Sequence, residues 1–111
     1  MTTITFRSEG GRIIGFDSQG HSGYAEAGED IVCAAVTSNV RLIECALNDV
    51  LGLEASVKVK EKDASIALKL PAKLGPTHES CCQTMMTAFL VNMAELAEEY
   101  PENLIVLNME V

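Results

Sequence analysis

Short runs of strict alternation flank two stretches in which apolar residues recur every three or four positions. In residues 3–9 Ile4 and Phe6 share one face, and in residues 12–18 Ile14 and Phe16 do the same, with Gly10-Gly11 between them as a hairpin turn. Residues 20–30 break all periodicity. They contain Gly20, Gly23 and Gly28 and almost no large apolar residue, and they read as an exposed, mobile loop. Asp30 then has the chemistry of a helix N-cap, and Val36, Val40, Ile43, Leu47 and Val50 predict a helix over residues 31–51 that Gly52 ends.

Ala55, Val57 and Val59 alternate with lysines, a turn follows near Lys62-Asp63, and Ile66, Leu68 and Leu70 alternate again. This is a second hairpin with one dry and one wet face on each strand. Residues 71–76 connect it to a second helix over residues 77–99, striped by Cys82, Met86, Phe89, Met93 and Leu96 and stopped by Pro101. A last strand over residues 104–111 carries Ile105, Leu107 and Met109 on one face. The order ββαββαβ predicts an α+β fold in a single domain, residues 1–111, with a mostly antiparallel sheet and both helices on one face. Leu90, Ala94 and Ala97 widen the apolar stripe of the second helix beyond what one sheet face covers. That points either to a homodimer through this helix or to deeper burial within the monomer.

Composition narrows the function. The chain has 111 residues, 48% of them hydrophobic, enough for one core. Sixteen acidic residues against eight basic ones give a net charge of -8, which repels a phosphate backbone and argues against direct nucleic-acid binding. The N-terminus lacks the pattern of a signal peptide, and no apolar run is long enough to suggest a membrane span. The four cysteines, Cys33, Cys45, Cys81 and Cys82, include two sequence neighbours. They read as free thiols in a reducing, cytoplasmic setting.

The candidate chemistry lies between Gly20 and Ser38, where a glycine loop carries His21 and the start of a helix carries Cys33. A cysteine attacks as the thiolate, and free Cys ionises near pH ~8.5. A helix N-terminus and an imidazolium both stabilise that thiolate, and free N–H groups at a helix start can also face an oxyanion. The loop must fold back to bring His21 within reach and can close on substrate. The bland reading competes: Cys33, Val36, Val40 and Ile43 continue one helical stripe, so Cys33 can equally be a small core residue.

The run Gly20-His21-Ser22-Gly23-Tyr24, followed by Asp30-Ile31-Val32-Cys33-Ala34-Ala35, closely resembles the signature of the ribosomal-processing cysteine protease (Prp) family, and the resemblance extends over the whole chain. The resemblance implies a homodimeric α+β endopeptidase. Its partner would be the bacterial large-subunit ribosomal protein number twenty-seven, carrying an N-terminal extension that the enzyme removes. It matches the nucleophile to Cys33, the catalytic His to His21, an acidic residue before the helix to Asp30, and a Ser one turn beyond the nucleophile to Ser38. Ser22 stands where many members have Ala, and Thr37 where Ser is common.

In this reading His21 takes the proton from Cys33 and later protonates the leaving amine, and Asp30 caps the helix. Ser38, about 140° round the helix from Cys33, has a packing or hydrogen-bonding role. Gly20, Ser22, Gly23, Tyr24 and Gly28 shape the substrate loop. No cofactor and no metal are expected: His78 and Cys81 are one possible ligand pair, without a second. A non-enzymatic ribosome-associated or assembly-binding protein is the alternative, its acidic surface holding a basic ribosomal protein uncut. The vicinal Cys81-Cys82 pair lacks redox spacing.

Overall fold

Each alternating segment becomes a strand and each three-to-four repeat a helix in the computed structural model. The structure describes residues 1–20 and 27–111, and the side chains of these except 27–30 and 63. The elements are β1 (Thr2–Glu9), β2 (Arg12–Gln19), α1 (Ala27–Glu44), β3 (Ser56–Lys60), β4 (Ser65–Lys69), α2 (Pro76–Glu99) and β5 (Leu104–Glu110). They form one five-stranded sheet in the order β3-β4-β2-β1-β5. β1 and β5 are parallel, and the remaining neighbours are antiparallel.

The register shows why both helices share a face. Phe6 pairs with Phe16 and Phe16 with Leu68. These side chains join Val32, Val36, Val40, Ile43 and Leu47 of α1 and Cys82, Met86, Phe89 and Met93 of α2 in one buried cluster. Phe6, Phe16 and Phe89, all the phenylalanines of the chain, meet with ring centroids 4.9 to 6.0 Å apart and seat α2 on the sheet. The segment Ile31–Val50 is long and apolar enough by composition to cross a membrane. Its inner stripe is packed in this core.

Several expectations are corrected. α1 begins at Ala27, so Gly28 lies in its first turn rather than in a loop, and Asp30 lies inside the helix rather than at its N-cap. After Glu44 the helix widens into a π-helical turn, Cys45–Val50, ended by Gly52 at φ +65°. The extra residue in that turn breaks the phase of the apolar stripe: Leu47 is fully buried, while Val50 is 75% exposed. Ile105, Leu107 and Met109 of β5 do share a face, but it is the one away from the helices. The core takes Leu104 and Val106, which pair with Thr2 and Ile4. On α2, Leu90 and Ala97 pack against the monomer's own core.

Two side-chain amides on helices clamp backbone groups elsewhere, one at the start of β2 and one in the loop before β3. Gln83 of α2 accepts from the Ile13 N–H and donates to the Ile13 carbonyl, both at 2.9 Å. Asn48 does the same for Ala55 at 2.7 and 3.1 Å. Nearby, Arg12 donates to Glu79 at 2.6 Å and to the Pro71 carbonyl at 2.9 Å, and the hydrogen bond to Glu79 raises the guanidinium pKa further. Gln83→Leu removes both partners of a nearly buried peptide group. It is expected to cost roughly 2–4 kcal/mol, read as a lower urea midpoint with an unchanged slope.

Candidate active site

α1 presents Cys33, Val36, Thr37, Val40, Arg41 and Glu44 along one face, at the three-and-four spacing that stacks side chains in a row. Opposite this row lies the part of the inner sheet surface that the helix leaves uncovered. The register places it: Ile4 pairs with Ser18, Ser18 with Ile66 and Ile66 with Val59. Thr2 and Gly20 close the end nearest Cys33. Between helix and hairpin runs a groove of about 610 Å³, within the usual ~300–1,000 Å³ of a ligand cleft. Val36, Val40, Val59 and Ile66 supply apolar walls, and Arg41, Glu44, Lys60 and Glu61 put balanced charge along it. Val59, read from its alternation as a core position, is 61% exposed because it forms this wall.

Cys33 is half-buried, and its Sγ lies 3.5 Å from the Thr2 hydroxyl. All four cysteines are free, yet their settings differ. Cys82 is buried under α2, and burial pushes its thiol pKa up, with Cys81 and Glu79 adding to the effect. Cys45 and Cys81 are exposed. Among the described residues, Cys33 is the cysteine that lines the groove. Because α1 starts at Ala27, Cys33 sits in its second turn, beyond the first-turn N–H groups expected to face an oxyanion.

Gly20 lines the same end of the groove, and His21 is bonded to it. Gly20 has φ +138°, and a Cβ there would stand 2.2 Å from the Met1 carbonyl oxygen and 2.7 Å from the Thr2 Cα. The chain can leave β2 this close to β1 only as glycine. His21, Ser22, Gly23 and Tyr24 lie outside the described residues, as do the side chain of Asp30 and any contact it makes.

Ser38 is exposed and is not part of the groove. Thr37, four residues past Cys33, takes the place one turn beyond the thiol. The i, i+4 rule was the signal that could have identified it. Thr2, Ser18 and Ser65 also line the groove without any mark in their local sequence. Among the described residues no three His, Cys, Asp or Glu side chains come together as a metal-binding set, and His78 and Cys81 are exposed on α2.

The family described as Cysteine protease Prp matches residues 1–105. A curated relative, the ribosomal processing cysteine protease Prp of Bacillus subtilis (strain 168), is 29% identical over 98 residues, 88% of each chain. The crystal structure of SMU.848 from Streptococcus mutans superposes with a TM-score of 0.85 at 28% identity, covering 100% of this chain and 96% of that one. The essential ribosomal processing protease Prp from S. aureus, solved in complex with a substrate peptide, superposes with a TM-score of 0.82. At 19% identity, over 97% of this chain and 99% of that one, it shares the fold.

Proposed function

The chain belongs to the cysteine protease Prp family, and from that premise we propose that Cys33 is its nucleophile, His21 its general base, and its substrate the extended N-terminus of large-subunit ribosomal protein twenty-seven. The observation that carries this reading is the position of Cys33. Its thiol opens on a groove of peptide size, beside the residue to which His21 is bonded. His21 takes the thiol proton and the sulfur attacks the scissile carbonyl. The proton passes to the leaving amine, and water then hydrolyses the thioester. The matching of a ribosomal processing protease of Bacillus subtilis supports the substrate class, and the net charge of -8 suits a basic ribosomal protein. Four free thiols support a reducing compartment, the bacterial cytoplasm.

The test is to incubate the same organism's ribosomal protein twenty-seven with wild type or with Cys33→Ala and read the intact mass of the target. Loss of an N-terminal piece with the wild type alone is expected. An uncut target after long incubation with active wild type sinks the substrate assignment.

We also propose that the protein is a homodimer. Along α1 and at the start of the π-helical turn that continues it, Ile31, Ala34, Ser38, Leu42 and Cys45 succeed one another three and four apart, all exposed and uncharged, with Ile31 at 57% and Leu42 at 64%. Leu42→Glu is expected to shift the sedimenting species from about twice the 11.9 kDa chain mass to the monomer. A monomeric wild type at micromolar concentration contradicts the proposal.

A further inference from the structure

We propose that Thr2 is a positioning residue for the nucleophile: its hydroxyl holds the Cys33 sulfur at the groove and donates a hydrogen bond to it once the thiol has ionised. This rests on Cys33 being the nucleophile. The observation is the 3.5 Å contact between Thr2 Oγ1 and Cys33 Sγ, made by a threonine that is only 4% exposed.

Thr2 is held from both sides. Its N–H donates to the Asn103 carbonyl at 2.9 Å, and it pairs in parallel register with Leu104 of β5. On the other side Gly20 packs so closely that an added Cβ would stand 2.7 Å from the Thr2 Cα. The alternation of β1 turns Thr2 to the helix side, in the same row as Ile4 and Phe6. Its hydroxyl therefore faces α1 from a backbone that cannot shift without moving β5 or the end of β2.

The chemistry of the pair favours the reactive form. While Cys33 is a thiol, either atom can donate. A thiolate carries no hydrogen, so after ionisation the hydroxyl must be the donor. A bond to an ionised acceptor is roughly twice as strong as a neutral one, and the donor side, Thr2, is nearly buried. The contact thus strengthens as the attacking species forms, and it selects one rotamer of Sγ. The same threonine abuts Gly20, from which the chain passes to His21, so it ties the root of the general-base segment to the nucleophile.

Three variants separate the hydroxyl from packing. Thr2→Val keeps the shape and removes the oxygen. Thr2→Ser and Thr2→Ala both remove the methyl and differ in the oxygen. The measured rates are Cys33 alkylation by iodoacetamide, resolved by peptide mass, and cleavage of a peptide spanning the extension junction. The exposed Cys81, which lies off the proposed dimer face, serves as internal reference.

Thr2→Val is expected to slow both Cys33 rates by roughly tenfold at an unchanged melting temperature, and Thr2→Ser to stay within about threefold of wild type. Should Thr2→Val be poorly folded, the Ser-to-Ala ratio of rates, expected near ten, carries the same information. Wild-type rates in Thr2→Val, or equal rates in the Ser and Ala variants, overturn the proposal. Peptide cleavage retained in Cys33→Ala overturns the nucleophile assignment instead, so the two failures are distinguishable.

Discussion

Cys33→Ala is expected to lower cleavage of an extended ribosomal-protein substrate by at least about a thousandfold and to move the melting temperature by no more than a few degrees. The two halves of this result have separate causes. The alanine has no atom that can form the thioester, and the remaining groove can only bind and orient the peptide. The fold loses one half-buried sulfur whose recorded partner is the Thr2 hydroxyl at the groove wall. The neighbours that hold α1 on the sheet, Val32, Val36 and Val40, are untouched. Single-turnover cleavage together with a thermal melt measures both. Activity within tenfold of wild type would show that the thiol is a packing residue, as its place in the helical repeat also allows. Alkylation of the wild type supplies the complementary result: modification of Cys33 should abolish cleavage, whereas modification of the exposed Cys81 should leave it intact.

Gly20→Ala is expected to be the most damaging glycine-to-alanine change among the described residues, costing roughly 3–5 kcal/mol and most of the activity. Two effects add. At φ +138° an L side chain is strained whatever the space around it. The new Cβ also meets the Met1 carbonyl oxygen at 2.2 Å, a backbone atom that no rotamer change can move aside. The clash can be relieved only by prising the end of β2 from the start of β1. That displaces Thr2, the end of the groove and the point where His21 joins. Urea unfolding and the Cys33 alkylation rate should therefore both fall. A melting temperature within 2 °C of wild type, on the scale where 1 kcal/mol moves it by about 4–8 °C, contradicts this account. Gly52→Ala is a useful contrast. Its φ of +65° lies in the left-handed region, so the backbone cost is smaller, about 1 kcal/mol. Its would-be Cβ meets open space, and it lies away from the groove, so stability should fall modestly with little loss of activity.

Much of the architecture is legible in the chain because element type depends on local period. Ile4 with Phe6, and Cys82 with Met86, Phe89 and Met93, belong to segments whose repeat admits one kind of backbone, and all are buried as that repeat requires. The misreadings share a cause. The glycines of residues 20–30 suggested a loop reaching to Asp30, yet α1 starts at Ala27 and absorbs Gly28, because a helix held by the packing of Val32 and Val36 tolerates a weak helix former in its first turn. Val50 follows the apolar spacing but is exposed, because a π-helical turn shifts the phase just before it. Ile105, Leu107 and Met109 alternate correctly and still face outward, since both helices cover the opposite side of the sheet.

The sequence by itself determined the order ββαββαβ, the residues that share each face, and a thiol and an imidazole in a pattern specific enough to indicate a cysteine protease. The order and the shared faces follow from backbone periodicity, which acts over a few neighbours. The thiol and imidazole point to a protease through their resemblance to the Prp family, since spacing alone lets Cys33 be a core residue. Which face of β5 is dry, that Thr37 rather than Ser38 borders the groove, and that Thr2 touches Cys33 across 31 positions of chain were decided by the tertiary structure. The parallel pairing of β1 with β5, the close passage of Gly20 against β1 and the partial cover that α1 gives the sheet bring distant segments together. Contacts of that range leave no period in the sequence.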